Sequence, residues 1–78
     1  MLKLIHGYGS GAHMRSLRET IRTHLQLRKM HGDIRAYVPG ESWAPDDLCS
    51  LEVIRHVPES IADIDFGREN KGITLILL

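Results

Sequence analysis

A single cysteine, Cys49, stands in the 78-residue chain, so no disulfide can close within it, and one thiol of this kind fits a reducing compartment. Long apolar runs are missing too. No stretch approaches the roughly 18 consecutive apolar residues that a membrane-spanning helix needs, and Met1-Leu2-Lys3 leads straight into a strand pattern instead of a signal peptide's charged start. The chain is therefore expected to be cytoplasmic, with no membrane partner. Internal repeats, linkers and low-complexity tracts are absent. At this length residues 1–78 make one domain, near the size at which burial on folding becomes marginal, with room for one sheet and two or three helices.

Net charge is lacking as well, since 10 basic residues balance 10 acidic ones. The zero hides an asymmetry. Residues 1–35 carry seven basic side chains against two acidic, a net +5, and residues 36–78 carry three against eight, a net −5. A polyanion is drawn to the first half and repelled by the second.

What is there is a clear alternation of patterns. Leu2, Leu4 and Ile5 form a short apolar run that reads as a buried strand, closed by the glycines that follow. Met14, Leu17, Ile21 and Leu25 then recur at spacings of three and four, on one stripe of a helix, with Ser10 placed as N-cap and Gly32 as its stop. Ile34, Ala36 and Val38 alternate with Arg35 and Tyr37, a strand ended by Pro39-Gly40. Residues 40–47 read as loop, and Pro45-Asp46-Asp47 suits the start of a short helix lined by Leu48, Leu51, Ile54 and Val57. Ala62, Ile64 and Phe66 alternate with Asp63 and Asp65, which predicts a half-buried strand, and Ile73 to Leu78 predicts an all-apolar one after a turn. The predicted order is β-α-β-α-β-β: a small α/β two-layer sandwich, with a mixed sheet, a crossover first and a hairpin last. The apolar closing strand calls for cover on both faces. Two helices supply that only thinly, so a partner chain or a further N-terminal element is expected to complete it.

The chemistry concentrates at Gly7-Tyr8-Gly9-Ser10-Gly11. A strand, a glycine-rich turn and a helix N-terminus point backbone N–H groups and the positive helix end at one spot, which suits an anion. The P-loop pattern fails because no lysine follows these glycines. The dinucleotide pattern matches Gly7 to Ala12, with Glu41 in place for a ribose, but a doubly wound sheet needs about twice this chain. Glycines that only let the chain turn tightly are the plainest alternative. Behind the turn, Arg15, Arg18, Arg22 and Lys29 fall on a strip about 60° wide, beside the apolar stripe. Charges of this kind usually mark a solvated face, and Glu19 is spaced to pair with Arg15 or Arg22. A run of arginines leading away from an anion-ready turn nevertheless suits a phosphate backbone longer than one nucleotide.

"IHGYGSG", a helix with "LRETIRTHL" and the closing "DIDFGRENKGITLILL" together resemble the small MutS-related (Smr) domain, over nearly the whole chain and least in residues 40–60. In that family a strand ending in H-G-x-G leads into an L-R-x-x-[VI] helix, and a glycine precedes an apolar last strand. The resemblance implies a compact α/β sandwich, similar to the C-terminal domain of a bacterial translation initiation factor, that binds DNA or RNA, with DNA-nicking or RNA-cleaving members. His6, Gly7 and Gly9 match the H-G-x-G positions, and Ser10 and Gly11 the small residues after them. Family domains begin with an earlier strand bearing L-D-L-H and a helix, the motif most closely tied to cleavage, whereas this chain starts at the H-G-x-G strand.

His13, His24 and His31 share a side of the helix but stand too far apart along it to hold one metal ion. Asp63 and Asp65, on one face of the predicted strand, are the weak candidates for Mg²⁺, against a solvated strand face as the plainer reading. His6 is the candidate acid or base, or else a hydrogen-bond donor to phosphate. Tyr8 is placed to stack on a base, Trp43 to cap the core, and Cys49 to join the core rather than act as a nucleophile. The expected contact surface is therefore His6, Gly7, Tyr8, Gly9, Ser10, Gly11, Arg15, Arg18, Arg22 and Lys29. The competing expectations are an interaction or assembly module that self-associates or is completed by a partner, and a small-nucleotide enzyme fragment that the length disfavours.

Overall fold

A computed structural model describes residues 1–7 and 11–78. Tyr8, Gly9 and Ser10, and the contacts expected of them, lie outside the described residues. Leu2–Ile5 forms β1. The three-and-four spacing becomes α1, Ala12–Met30, which closes just before Gly32 with Arg28 and Lys29 in its last turn. Its N-cap is Gly11 and not Ser10, and it receives no side-chain cap. Ala36–Pro39 is β2, Leu48–His56 is α2 and Ile73–Leu77 is β3. Short 3₁₀ turns at Gly40–Ser42 and Pro58–Ala62 flank α2. The Pro-Asp-Asp start of α2 works through Asp47, the N-cap, whose carboxylate accepts the Ser50 N–H at 2.8 Å.

β3 is the middle strand. It pairs antiparallel with β1, Leu2 opposite Ile76 and Ile5 opposite Ile73, and antiparallel with β2, Ala36 opposite Leu77 and Val38 opposite Leu75. Among the described residues the sheet thus has three strands, antiparallel throughout, in place of the mixed four-stranded sheet expected. β1 and β2 run in the same direction with a gap between them, which β3 fills. The strand expected over 62–66 does not form, and the final hairpin goes with it: 58–62 is a 3₁₀ turn and 64–67 a further turn. The cause is local competition for the backbone, because the Asp63 carboxylate accepts the Asp65 N–H at 3.1 Å and bends the chain there.

Residues directly opposite each other share a face. Ala36, Val38, Ile73, Leu75 and Leu77 line one face and form the buried core with Trp43 and Val53. Cys49, Ile54, Val57 and Phe66 pack against this cluster, so Cys49 lies beside the core. Trp43 is fully buried, its ring 4.8 Å from Phe66 in an edge-to-face arrangement, and its indole N–H donates to Asp63. α1 lies over the other face, where the Tyr37 hydroxyl donates to Gln26 at 3.1 Å. A helix on each side makes three thin layers, not two.

Neither helix sits quite on its apolar stripe. In α2, Leu48 is 82% exposed and Leu51 46%, while Ser50 and Val53 are buried. The Ser50 hydroxyl is held between the Ala44 N–H and the Ser42 carbonyl, which turns that side of the helix inward. In α1 no described residue is fully buried. Its half-buried residues are Met14, Arg18, Ile21, Arg22 and Leu25, a face centred about 40° from the apolar stripe toward the arginines. Leu17 stays 38% exposed, and β1 leaves Leu2 52% and Leu4 39% exposed. Gly40, by contrast, is tightly enclosed: a Cβ there would lie 1.9 Å from the Asn70 carbonyl oxygen and 2.9 Å from that of Ile73.

Candidate nucleic-acid interface

The glycine turn starts where β1 meets the loop before β3. The N–H groups of His6 and Gly7 both donate to the Gly72 carbonyl at 3.0 Å, so the Gly7 amide is used inside the protein. Gly7 has φ +79°, a left-handed conformation that a side chain disfavours. The His6 ring is half-buried, with Nδ1 3.0 Å from the Gly7 carbonyl oxygen and Nε2 3.0 Å from the Thr74 hydroxyl. Gly11 precedes α1, with no atom of the described residues within 4 Å of where its Cβ would stand. Among the described residues the helix has no side-chain cap and no acidic residue in its first turn, so no local carboxylate opposes its positive end there. Arg15 is exposed on that same first turn.

The basic strip divides. Arg15 and Lys29 are exposed and Arg18 is half-buried. Arg22 is turned back onto the 40–42 segment, where its two terminal nitrogens donate to Glu41 at 2.9 and 2.7 Å. Its side chain is 20% exposed, and its Nε finds no partner. Burial pushes the Glu41 carboxyl pKa up, but the Arg22 hydrogen bond and charge outweigh it and hold the group below the usual range. Glu41, suited by sequence to a ribose, is the partner of an arginine. Beside this pair an open groove of about 410 Å³ runs between α1 and β2, lined by Glu19, Arg22, Thr23, Gln26, Leu27 and Tyr37.

Asp63 and Asp65 stand in a turn rather than on a strand, and a cation of the protein itself occupies them. Lys3 Nζ lies 2.7 Å from Asp63 Oδ1 and 2.6 Å from Asp65 Oδ2. Asn70 donates to Asp65 from the other side at 2.9 Å. That hydrogen bond, followed by those of Lys3, holds the Asp65 carboxyl below its usual pKa. Burial depresses the Lys3 ammonium, yet the two carboxylates outweigh it and raise its pKa. The two aspartates are thus tied up as a latch between β1 and the 63–70 segment. Among the described residues, no three His, Cys, Asp or Glu side chains come together where they could hold a metal ion, and no helix is long and apolar enough to cross a membrane.

Two contacts at the candidate site are not legible in the sequence, that of Glu41 with Arg22 and that of Thr74 with His6. Thr74 carried the better signal, as the one polar residue in the run Ile73–Leu77. Comparison of the chain with protein-family models, with curated proteins and with solved structures yields no match.

Proposed function

We propose that the chain is a nucleic-acid-binding domain of the Smr type, which takes the phosphates of DNA or RNA at the glycine turn and along the basic edge of α1. The observation that carries this reading is the α1 N-terminus, which among the described residues has no side-chain cap and no acidic residue in its first turn, and which carries the exposed Arg15. His6, Gly7, Tyr8, Gly9, Ser10 and Gly11 form the turn of the proposed contact, and Arg15, Arg18, Arg22 and Lys29 its basic edge. Arg22 contributes less than its neighbours, because its charge is matched by Glu41. Binding is the proposed activity, and the Lys3-bound aspartates lend no support to metal-assisted cleavage through Asp63 and Asp65.

The test is fluorescence anisotropy with labelled DNA and RNA oligonucleotides across a salt series. Each phosphate contact contributes a slope of about −0.9 in log K against log salt for duplex DNA. Arg15→Ala with Lys29→Ala, both exposed, is expected to weaken binding and to flatten the slope by about 2, with the fold intact by circular dichroism. Absence of binding to either nucleic acid at low salt overturns the reading.

A second reading, an interaction or assembly module, is favoured by β1. It is an edge strand whose Leu2 and Leu4 lie exposed. A concentration-dependent oligomer in sedimentation, combined with no oligonucleotide binding, supports that reading instead.

A further inference from the structure

Thr74 is anomalous for its place. It sits in the middle strand among Ile73, Leu75, Ile76 and Leu77, and it is fully buried. A hydroxyl in such a position is costly unless it is bonded, and its partner is the His6 ring, 68 positions away in the chain. The other ring nitrogen faces the carbonyl oxygen of Gly7. A carbonyl only accepts, so Nδ1 must carry the hydrogen and donate. In the neutral ring Nε2 is then the acceptor, and the Thr74 hydroxyl donates to it. The line of bonds is directional from end to end: Thr74 O–H to Nε2, then Nδ1–H to the Gly7 carbonyl.

The geometry points to Thr74 as the positioning residue of the candidate site, one that holds the His6 ring, in the Nδ1–H form that the Gly7 carbonyl sets, at the point where β1 ends. The turn is thereby anchored twice to the sheet, by the Gly72 carbonyl that takes the His6 and Gly7 amides and by the Thr74 hydroxyl acting through the imidazole. In this arrangement both ring nitrogens are spent within the protein. His6 serves the site by orienting the turn and not as a free general base. The consequence for binding rests on the nucleic-acid reading above, whereas the state of the ring does not.

The experiment is nitrogen-15 NMR of the histidine side chains at mildly alkaline pH, with His6 assigned by His6→Gln. In the unaltered protein the His6 ring is expected to show the Nδ1–H pattern, and an Nε2–H pattern overturns the proposal without any variant. Thr74→Val, close in shape, removes the donor to Nε2 and is expected to move the Nε2 nitrogen-15 shift toward that of an unbonded ring nitrogen, while Thr74→Ser keeps the original shift. An unchanged His6 signature in a folded Thr74→Val also overturns it. The oligonucleotide assay is read separately: Thr74→Val is expected to weaken binding about fivefold, the worth of one hydrogen bond, with Thr74→Ser restoring it. If the unaltered protein binds no oligonucleotide while the ring behaves as described, the nucleic-acid reading fails and the assignment of Thr74 stands.

Discussion

Individual residues set the two firmest expectations. Gly40 has backbone carbonyls where a methyl group would go, at 1.9 and 2.9 Å, and neither can yield as a side-chain tip can. Gly40→Ala should therefore cost at least about 2 kcal/mol, as overpacking of rigid surroundings does, with a lowered urea midpoint as the readout. The second expectation concerns pH. The Asp65 and Glu41 carboxyls titrate below their ordinary values of 3.8 and 4.5, so the stability they contribute is complete above those values and drains away as pH falls through the lower folded ones. Lys3 titrates above its ordinary 10.5, so its contribution is complete below that value and is lost as pH rises through the higher folded one. Asp65→Asn should accordingly lose less stability than the unaltered protein between neutral pH and the acid limb, measured as denaturant midpoints across pH.

Among the elements, β3 and α1 mark the extremes of burial. Leu75 is 0% exposed at the centre of the sheet, whereas no residue of α1 is fully buried and Leu17 is 38% exposed. Leu75→Ala should cost about 2–5 kcal/mol, and Leu17→Ala under about 1 kcal/mol. Amide exchange should follow the same order, slow through Ile73–Leu77 and faster along α1. The same elements show what could be read in advance. Both helices and the strands at 2–5, 36–39 and 73–77 were legible, because periodicity and the Pro, Gly and Asp punctuation act over a few residues. The stretch 62–66 was not. Its alternation fits a strand, but Asp63 is spent on Trp43, Lys3 and its own neighbour Asp65, and the partner Lys3 lies 60 positions away. The faces of α1 and α2 were misjudged for a similar reason: Arg22 reaches Glu41 and Ser50 reaches Ser42, pairings that no apolar count contains. Of the candidate site, the helix that carries the basic residues was legible, and the hold of Glu41 on Arg22 was not.

Over the whole molecule, the charge asymmetry and the uneven layers act together. The +5 half contains α1 and the glycine turn, and the −5 half contains α2 and the segment behind it. A polyanion approaching from the α1 side meets attraction, and from the α2 side repulsion, which orients the encounter. At the edge of the sheet, Ile5 is 75% exposed. Ile5→Lys should change stability by no more than about 0.5 kcal/mol while reducing any self-association seen by sedimentation, since a charge on an edge strand opposes sheet extension.

The position of β3 between β1 and β2 also governs the order in which the protein comes into being. On a ribosome the first two strands leave the exit tunnel with no edge to join, since neither pairs with the other. His6 and Lys3 lie 68 and 62 positions ahead of Thr74 and Asp65, so they are made before their partners. The turn at His6 and the latch at Lys3 both close in the same event, when Ile73–Leu77 slides in between.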